Sequence, residues 1–180
     1  KLSNDKFNAG IIDRYNPSLP GASTENIQRI IEGEPIGTFY MWEWAGYTEG
    51  GVSQFYVHDE ETGERTGETT TTPSKKDRTI VGNAQPWLTM GWNNTFTYKN
   101  WDLTAFFTGV FGQKIFNEPR AFFSNIGNVT EGKNVMKSVI KEQRATDASS
   151  ALPSDRYLED GSYFRLSNLT IGYTFRNFNG

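Results

Sequence analysis

From Leu88 the side chains alternate with a period of two. Leu88, Met90, Trp92, Phe96 and Tyr98 share one parity, interrupted by Asn94, while Thr89, Gly91, Asn93, Thr95 and Thr97 share the other. That period sends neighbours to opposite faces of a strand and is incompatible with an α-helix, whose apolar stripe recurs every three to four residues. Lys99 and Asn100 then separate this arm from a second, in which Trp101, Leu103, Ala105, Phe107 and Phe111 oppose Asp102, Thr104 and Thr108, with Phe106 and Val110 as exceptions. Two residues between alternating arms is the spacing of a tight hairpin. A third alternation sets Leu169, Ile171, Tyr173 and Phe175 against Asn168, Thr170, Gly172 and Thr174. Phe164 and Leu166 sit on the opposite parity, so a bulge is expected near Ser167 and Asn168.

The rest of the chain is less regular. Residues 1–35 read as loop, punctuated by Asn16-Pro17, Pro20-Gly21 and Pro35, with a helical turn starting at Ser23-Thr24-Glu25-Asn26 and leading into Ile27, Ile30 and Ile31. Residues 36–48, 52–57 and 78–81 look extended; Asp59 to Arg65 is a polar turn, and the Thr-rich tract Thr69 to Pro73 an exposed loop tip. Glu131 to Arg144 has helical spacing through Val135, Val139 and Ile140 and is the one expected helix.

Composition narrows the class. The 180 residues are 36% hydrophobic and 14% aromatic, a mixture that favours β-structure over disorder. The net charge of −3 argues against a nucleic-acid partner, and the absence of cysteine excludes disulfides, thiolate metal sites and cysteine nucleophiles. No apolar run is long enough for a transmembrane helix, and no signal peptide precedes Lys1. Transmembrane strands are not excluded by hydropathy. An eleven-residue arm, tilted about 45° with a rise of about 3.3 Å per residue, spans roughly 25 Å, the height of a barrel's apolar band. Soluble β-sandwich strands alternate as well. The connections favour the barrel: one turn is two residues long and the next connection, residues 112–162, is long and polar, as in barrels with short periplasmic turns and long outer loops.

Three stretches resemble the C-terminal barrel region of SusC/RagA-type TonB-dependent transporters. The first is Glu34-Pro35-Ile36-Gly37-Thr38-Phe39-Tyr40, followed by Gly46. The second runs Asp77-Arg78-Thr79-Ile80-Val81-Gly82-Asn83, then Pro86, Trp92 to Phe96 and Tyr98 to Leu103. The third runs from Asp155-Arg156-Tyr157-Leu158 through Gly161, Ser162, Phe164, Arg165 and Leu166 to Gly172-Tyr173. Members of that family are plugged barrels of roughly 22 strands and several times longer, so the resemblance implies a fragment cut at both ends. It also implies a Gram-negative outer membrane, with the barrel in contact with lipid. The whole protein would import glycans or peptides, capped by a SusD-like surface lipoprotein and energised by TonB through an N-terminal part absent here. Many members carry an Asp/Asn/Gly-rich turn before the second block. Here His58 to Lys76 offers Asp59, Glu60, Glu61 and Glu64 without alternating ligands, so no metal is expected.

No catalytic residue and no cofactor is expected. His58 stands alone, without a second histidine or a cysteine to complete a metal site or triad, and reads as a surface residue in a charged loop. The acid pairs Asp59/Glu61 and Glu159/Asp160 read as solvated loop residues rather than glycosidase carboxylates. The sequon matches at Asn93, Asn128 and Asn168 read as chance. Tyr40, Trp42, Trp44 and Tyr47, around Gly46, are the candidate ligand- or partner-binding residues: flat rings can stack on sugars, anchor a protein partner, or form the loop's own small core.

The expected fold is therefore all-β: a partial antiparallel transmembrane β-barrel with long extracellular loops and one short helix. Residues 1–87 form an extracellular loop region, 88–111 a barrel hairpin, 112–162 an extracellular loop with the helix, and 163–180 a barrel strand and following turn, the strand running 163–175. The alternative is a secreted soluble β-sandwich that binds carbohydrate through Trp42 and Trp44.

Overall fold

The computed structural model describes residues 26–31, 33–60, 62–142 and 152–175. The expectations for Asn16-Pro17, Pro20-Gly21, Ser23 to Glu25, Glu61 and the helix end at Arg144 lie outside them. The chain divides into two compact units, one holding residues up to Ala84 with Ile115–Glu159, the other Gln85–Lys114 with residues from Asp160 onward.

The second unit is an antiparallel sheet of three strands, β7 (Leu88–Tyr98), β8 (Trp101–Phe111) and β11 (Tyr163–Tyr173), ordered β11-β8-β7. β7 and β8 pair without interruption from Leu88↔Phe111 to Tyr98↔Trp101, and Lys99 takes a φ of 54° to make the turn. The ladder of β11 on β8 shifts register between Leu166 and Asn168, where the parity of the sequence changes. The extra residue puts Phe164 and Leu166 on the same face as Leu169, Ile171 and Tyr173, so the strand keeps one apolar face throughout. β11 ends at Tyr173 rather than 175, after which one backbone bond, Thr174 N–H to the Asn100 carbonyl, continues the pairing.

Two features of the polar face have local causes. Phe106 belongs to the polar face and lies over Gly91, where an added Cβ would meet its ring at 3.4 Å. Gly172 leaves room for the Asp102 carboxylate on that same face; any side chain there would collide with it.

The first unit holds two further three-stranded sheets. One is ordered β1 (Gln28–Arg29), β2 (Thr38–Trp42), β6 (Arg78–Asn83); the other is β3 (Trp44–Tyr47), β4 (Ser53–His58), β5 (Arg65–Thr70). The helical turn expected at Ile27–Ile31 is instead the short strand β1. Its residues pair with Thr38 and Phe39, and Ile27 joins the core, so tertiary burial overrides the local start signal. Thr69 and Thr70 likewise belong to β5, paired with Tyr56 and Phe55, because threonine's branched Cβ suits a strand edge. Of the helix expected over Glu131 to Arg144, the described residues form only α2 (Lys137–Glu142); Glu131 to Met136, Val135 included, is turn and irregular chain. A second, α1 (Glu118–Phe123), precedes it, capped by Asn117, whose side chain accepts the Arg120 N–H at 2.9 Å, with Pro119 in its first turn. Short strands β9 (Lys114–Phe116) and β10 (Leu158–Asp160) pair with each other.

The unit's core is Ile27, Phe39, Met41, Ala121 and Tyr157, with Val81, Phe116 and Leu158 packed against it. Phe39 and Met41 share one face of β2 and are buried there, while Tyr40 between them lies on the opposite, partly exposed face.

Candidate functional site

The four aromatic residues singled out in the sequence take three different places. Trp42 is 2% exposed, and its indole N–H donates to the Ser74 carbonyl at 2.7 Å; it is a core residue, out of reach of any ligand. Tyr40 is half-buried between two arginines. The Arg29 guanidinium lies 3.9 Å from the ring centre, and Arg78 lies 5.4 Å away. Arg78 is buried, donates to the carbonyls of Tyr40 and Asn26, and also packs on Trp42.

Trp44 and Tyr47 meet edge to face at 5.3 Å, and the Arg156 guanidinium sits over both, 4.8 and 5.1 Å from their centres. A register shift between Trp44 and Gly46, with Gly46 at φ 116°, brings the two rings together. The backbone N–H of Trp44 donates to the Asp155 carboxylate at 2.8 Å. Burial raises the Asp155 carboxyl above its ordinary value, and the hydrogen bond from Trp44 only partly opposes this. The indole N–H of Trp44 is buried and has no acceptor among the described residues.

Glu43, between β2 and β3, ties the second sheet to its surroundings. Arg65 donates to both of its oxygens, through Nε at 2.8 Å and through a terminal nitrogen. His58 Nε2 lies 3.1 Å from the same carboxylate, and His58 Nδ1 lies 3.2 Å from the Asp77 carbonyl. The Arg65 hydrogen bond, with smaller help from His58, holds the Glu43 carboxyl below its ordinary value. His58 is thus not the surface residue its charged neighbours implied. It is 6% exposed, because as the last residue of β4 it turns inward and both ring nitrogens find partners. Asp59 is held within its turn by the Thr62 N–H and hydroxyl, and Glu159 pairs with Arg120 at 3.3 Å.

Sequence reasoning did not find the supporting charged residues. Asp77-Arg78 and Asp155-Arg156 lie in the blocks that carry the family resemblance, and each pair frames an aromatic. Asp77 closes a capping box with Ser74, fixing the segment that accepts the Trp42 indole, and Asp155-Arg156 holds Trp44. Arg29 carries no such signal.

The second unit offers a surface rather than a pocket. One face carries Leu88, Met90, Trp92, Phe96, Leu103, Phe107, Phe164, Leu166, Leu169 and Ile171 in register, and most of them are exposed, Trp92 by 53% and Ile171 by 63%. Trp92, Phe107 and Phe164 form a row of rings across it, at 5.6 and 5.5 Å. Tyr98, Trp101 and Tyr173 gather at the hairpin end, with Trp101 and Tyr173 at 4.7 Å. The other face is lined by Thr89, Asn93, Thr95, Thr104, Thr108 and Arg165. Three long antiparallel strands with one apolar face, one polar face and aromatics at the turn define a stretch of outer-membrane β-barrel.

Comparison with known proteins agrees. The chain is 32% identical over 185 residues to TonB-dependent receptor P3 of Formosa agariphila, covering 89% of the chain and 17% of that protein. It is 30% identical over 109 residues to TonB-dependent receptor P26 of the same organism, covering 56% of the chain and 11% of the relative. In fold it resembles a chain of the RagAB peptide importer in the open-open state, with a TM-score of 0.61, 24% identity and coverage of 84% of this chain and 17% of that one. The closed-closed state gives a TM-score of 0.60 at 23% identity, covering 83% and 19%. No family model matches the chain. The chain belongs to the TonB-dependent receptors, shares the fold of the RagAB chain, and spans less than a fifth of the length of the relatives it matches. The comparisons give no support to the β-sandwich alternative.

Proposed function

We propose that the protein containing this segment is an outer-membrane importer of glycans or peptides. It moves a solute and catalyses no reaction; it is energised by TonB and works with a SusD-like surface lipoprotein. The observation that carries this reading is the exposed apolar face of β7, β8 and β11. A face that holds Trp92, Phe107, Leu166 and Ile171 in register would be unfavourable in water and is at home in lipid. The strands then cross the membrane, and the segments 1–87 and 112–162 stand outside the cell as surface structure. Trp44 and Tyr47 are the aromatic contacts offered to substrate or lipoprotein there, with the buried Trp42 as support and Tyr40, whose ring carries Arg29, as the floor beside them. The relatives support the import reading by name, as TonB-dependent receptors and as a peptide importer.

The test uses the full-length protein in its own outer membrane. Single cysteines at positions 92, 93, 104 and 107, labelled with a nitroxide, report lipid or water. Positions 92 and 107 should be reached by oxygen dissolved in lipid, and 93 and 104 by a water-soluble relaxing agent. Uptake of labelled oligosaccharides or peptides by the same cells should saturate and stop when a protonophore collapses the energy supply. Shielding of position 92 from both reagents, or uptake indifferent to the protonophore, overturns the reading.

A further inference from the structure

Within the first unit, Arg29, Tyr40, Lys75 and Lys76, together with the carboxylates of Asp59 and Glu60, line a cleft of about 530 Å³, a size suited to a small ligand or a short stretch of peptide. Arg29 is the unusual member. Arg65, Arg78, Arg120 and Arg165 each donate hydrogen bonds, whereas among the described residues Arg29 donates none. Its guanidinium is instead laid on the Tyr40 ring at 3.9 Å. Stacking fixes the plane of the fork, and none of the described residues takes its N–H edge, which is the arrangement that receives a carboxylate through two parallel hydrogen bonds.

The surroundings narrow the ligand further. Lys75 and Lys76 add positive charge; Lys76 pairs with Glu60 at 2.6 Å, but both side chains are about two-thirds exposed, so the pair exchanges at little cost. Ile31 and Ile80, the latter 43% exposed, give an apolar wall beside the cations. The Tyr40 face already carries Arg29, so the cleft has no open ring on which a sugar could stack. We propose that this cleft binds an acidic peptide, with a Glu or Asp carboxylate forked on Arg29 and a neighbouring apolar side chain against Ile31 and Ile80. This names a substrate class within the importer reading and rests on it for its physiological use. Binding is measured without uptake, so the two can fail separately.

The experiment titrates the full-length protein, in detergent micelles, with three probes: a blocked peptide alternating leucine and glutamate, the same peptide with glutamine for glutamate, and an oligogalacturonate. The glutamate peptide should bind at least about tenfold more tightly than the glutamine peptide, the size of one charge-assisted hydrogen-bond pair. Arg29→Lys keeps the charge and loses the fork, and should remove most of that preference; Arg29→Gln should abolish it. Hydrogen exchange of residues 38–42 confirms that each variant is folded. Equal binding of the two peptides, an unchanged preference in Arg29→Lys, or binding of the oligogalacturonate alone overturns the proposal.

Discussion

Trp42 in the first unit is 2% exposed, with its indole hydrogen-bonded to a carbonyl; Trp92 in the second is 53% exposed, in a row of rings with Phe107 and Phe164. The proposed function accounts for the contrast by giving the two units different solvents. On that reading the first unit stands in water and must make its own interior, and Trp42 turns inward, packed against Arg78, whose donors are spent on backbone carbonyls. The second needs no interior: a single sheet with lipid on one side is complete when its backbone is paired and its outward face is apolar. A continuous apolar row such as Trp92, Phe107 and Phe164 is therefore a correct surface in the second unit, whereas the first exposes its large apolar residues only singly.

The largest expected effect comes from removing the buried ring. Trp42→Ala should destabilise the first unit by about 3–5 kcal/mol, the usual cost of truncating a buried tryptophan. Hydrogen exchange on the full-length protein should show Thr38–Trp42 and Arg78–Asn83 losing protection while Leu88–Tyr98 and Trp101–Phe111 keep theirs. Loss of protection in all four strands would break the comparison, because the units would then be one cooperative body.

The converse change targets the lipid face. Trp92→Arg or Phe107→Arg should cost about 2–4 kcal/mol in bilayers, and Thr104→Arg on the opposite face much less. Folding of the full-length protein into vesicles, followed by denaturant titration, reads both. Equal costs at 92 and 104 would mean that the two faces see the same medium.

The contrast between the units also explains what the sequence made legible. In the second unit each strand's pairing is announced by its own period of two, and even the bulge was visible as a change of parity between Leu166 and Leu169. In the first unit residues 36–48, 52–57 and 78–81 read as extended, where β2 with β3, β4 and β6 lie, but β1 and β5 were missed and the side-chain partners were not visible. Glu43 reaches Arg65 across 22 positions, His58 reaches the Asp77 carbonyl across 19, and Trp44 reaches Asp155 across 111. No local pattern encodes such pairings. This is why His58 looked like a surface residue and Trp42 like a candidate contact. The Arg29–Tyr40 stack was equally silent, since β1 is two residues long and hidden behind a false helix-start signal.

Acid should act on the first unit through Glu43. The Arg65 hydrogen bond, then the weaker contributions of His58, hold its carboxyl below the ordinary 4.5. A depressed folded-state value means that the stabilisation is present above 4.5 and is lost as pH falls through the depressed value. Asp155 works in the opposite sense: burial raises its carboxyl, so ionisation above the ordinary 3.8 costs stability and acid relieves that cost. Glu43→Gln should therefore flatten the acid loss of protection in β4 and β5, whereas Asp155→Asn should leave that loss in place. If Glu43→Gln retains the full acid sensitivity, the ladder is held by something other than this ion pair.

The smallest effect separates two tryptophans only two positions apart in the chain. Trp42 and Trp44 differ in their indole nitrogens: one donates to Ser74 at 2.7 Å, the other is buried without an acceptor among the described residues. Replacing Trp42 by Phe removes a satisfied donor, orphans a carbonyl and leaves a small void, so it should cost about 1–3 kcal/mol. Replacing Trp44 by Phe also loses volume, but it removes a donor whose burial was itself costing about 1–3 kcal/mol, so the two contributions nearly cancel. Arg156 still has a ring to cover, because phenylalanine keeps the aromatic face. The expected stability change for Trp44→Phe is within about 1 kcal/mol of zero, read as local protection of Trp44–Tyr47 and Ser53–His58. The same variant bears on binding. If the Trp44 N–H is kept for an acceptor on a substrate or on the lipoprotein, Trp44→Phe weakens that association while leaving the fold intact. If stability falls as far as in Trp42→Phe, the nitrogen is already satisfied in the folded protein and Trp44 is core like its neighbour.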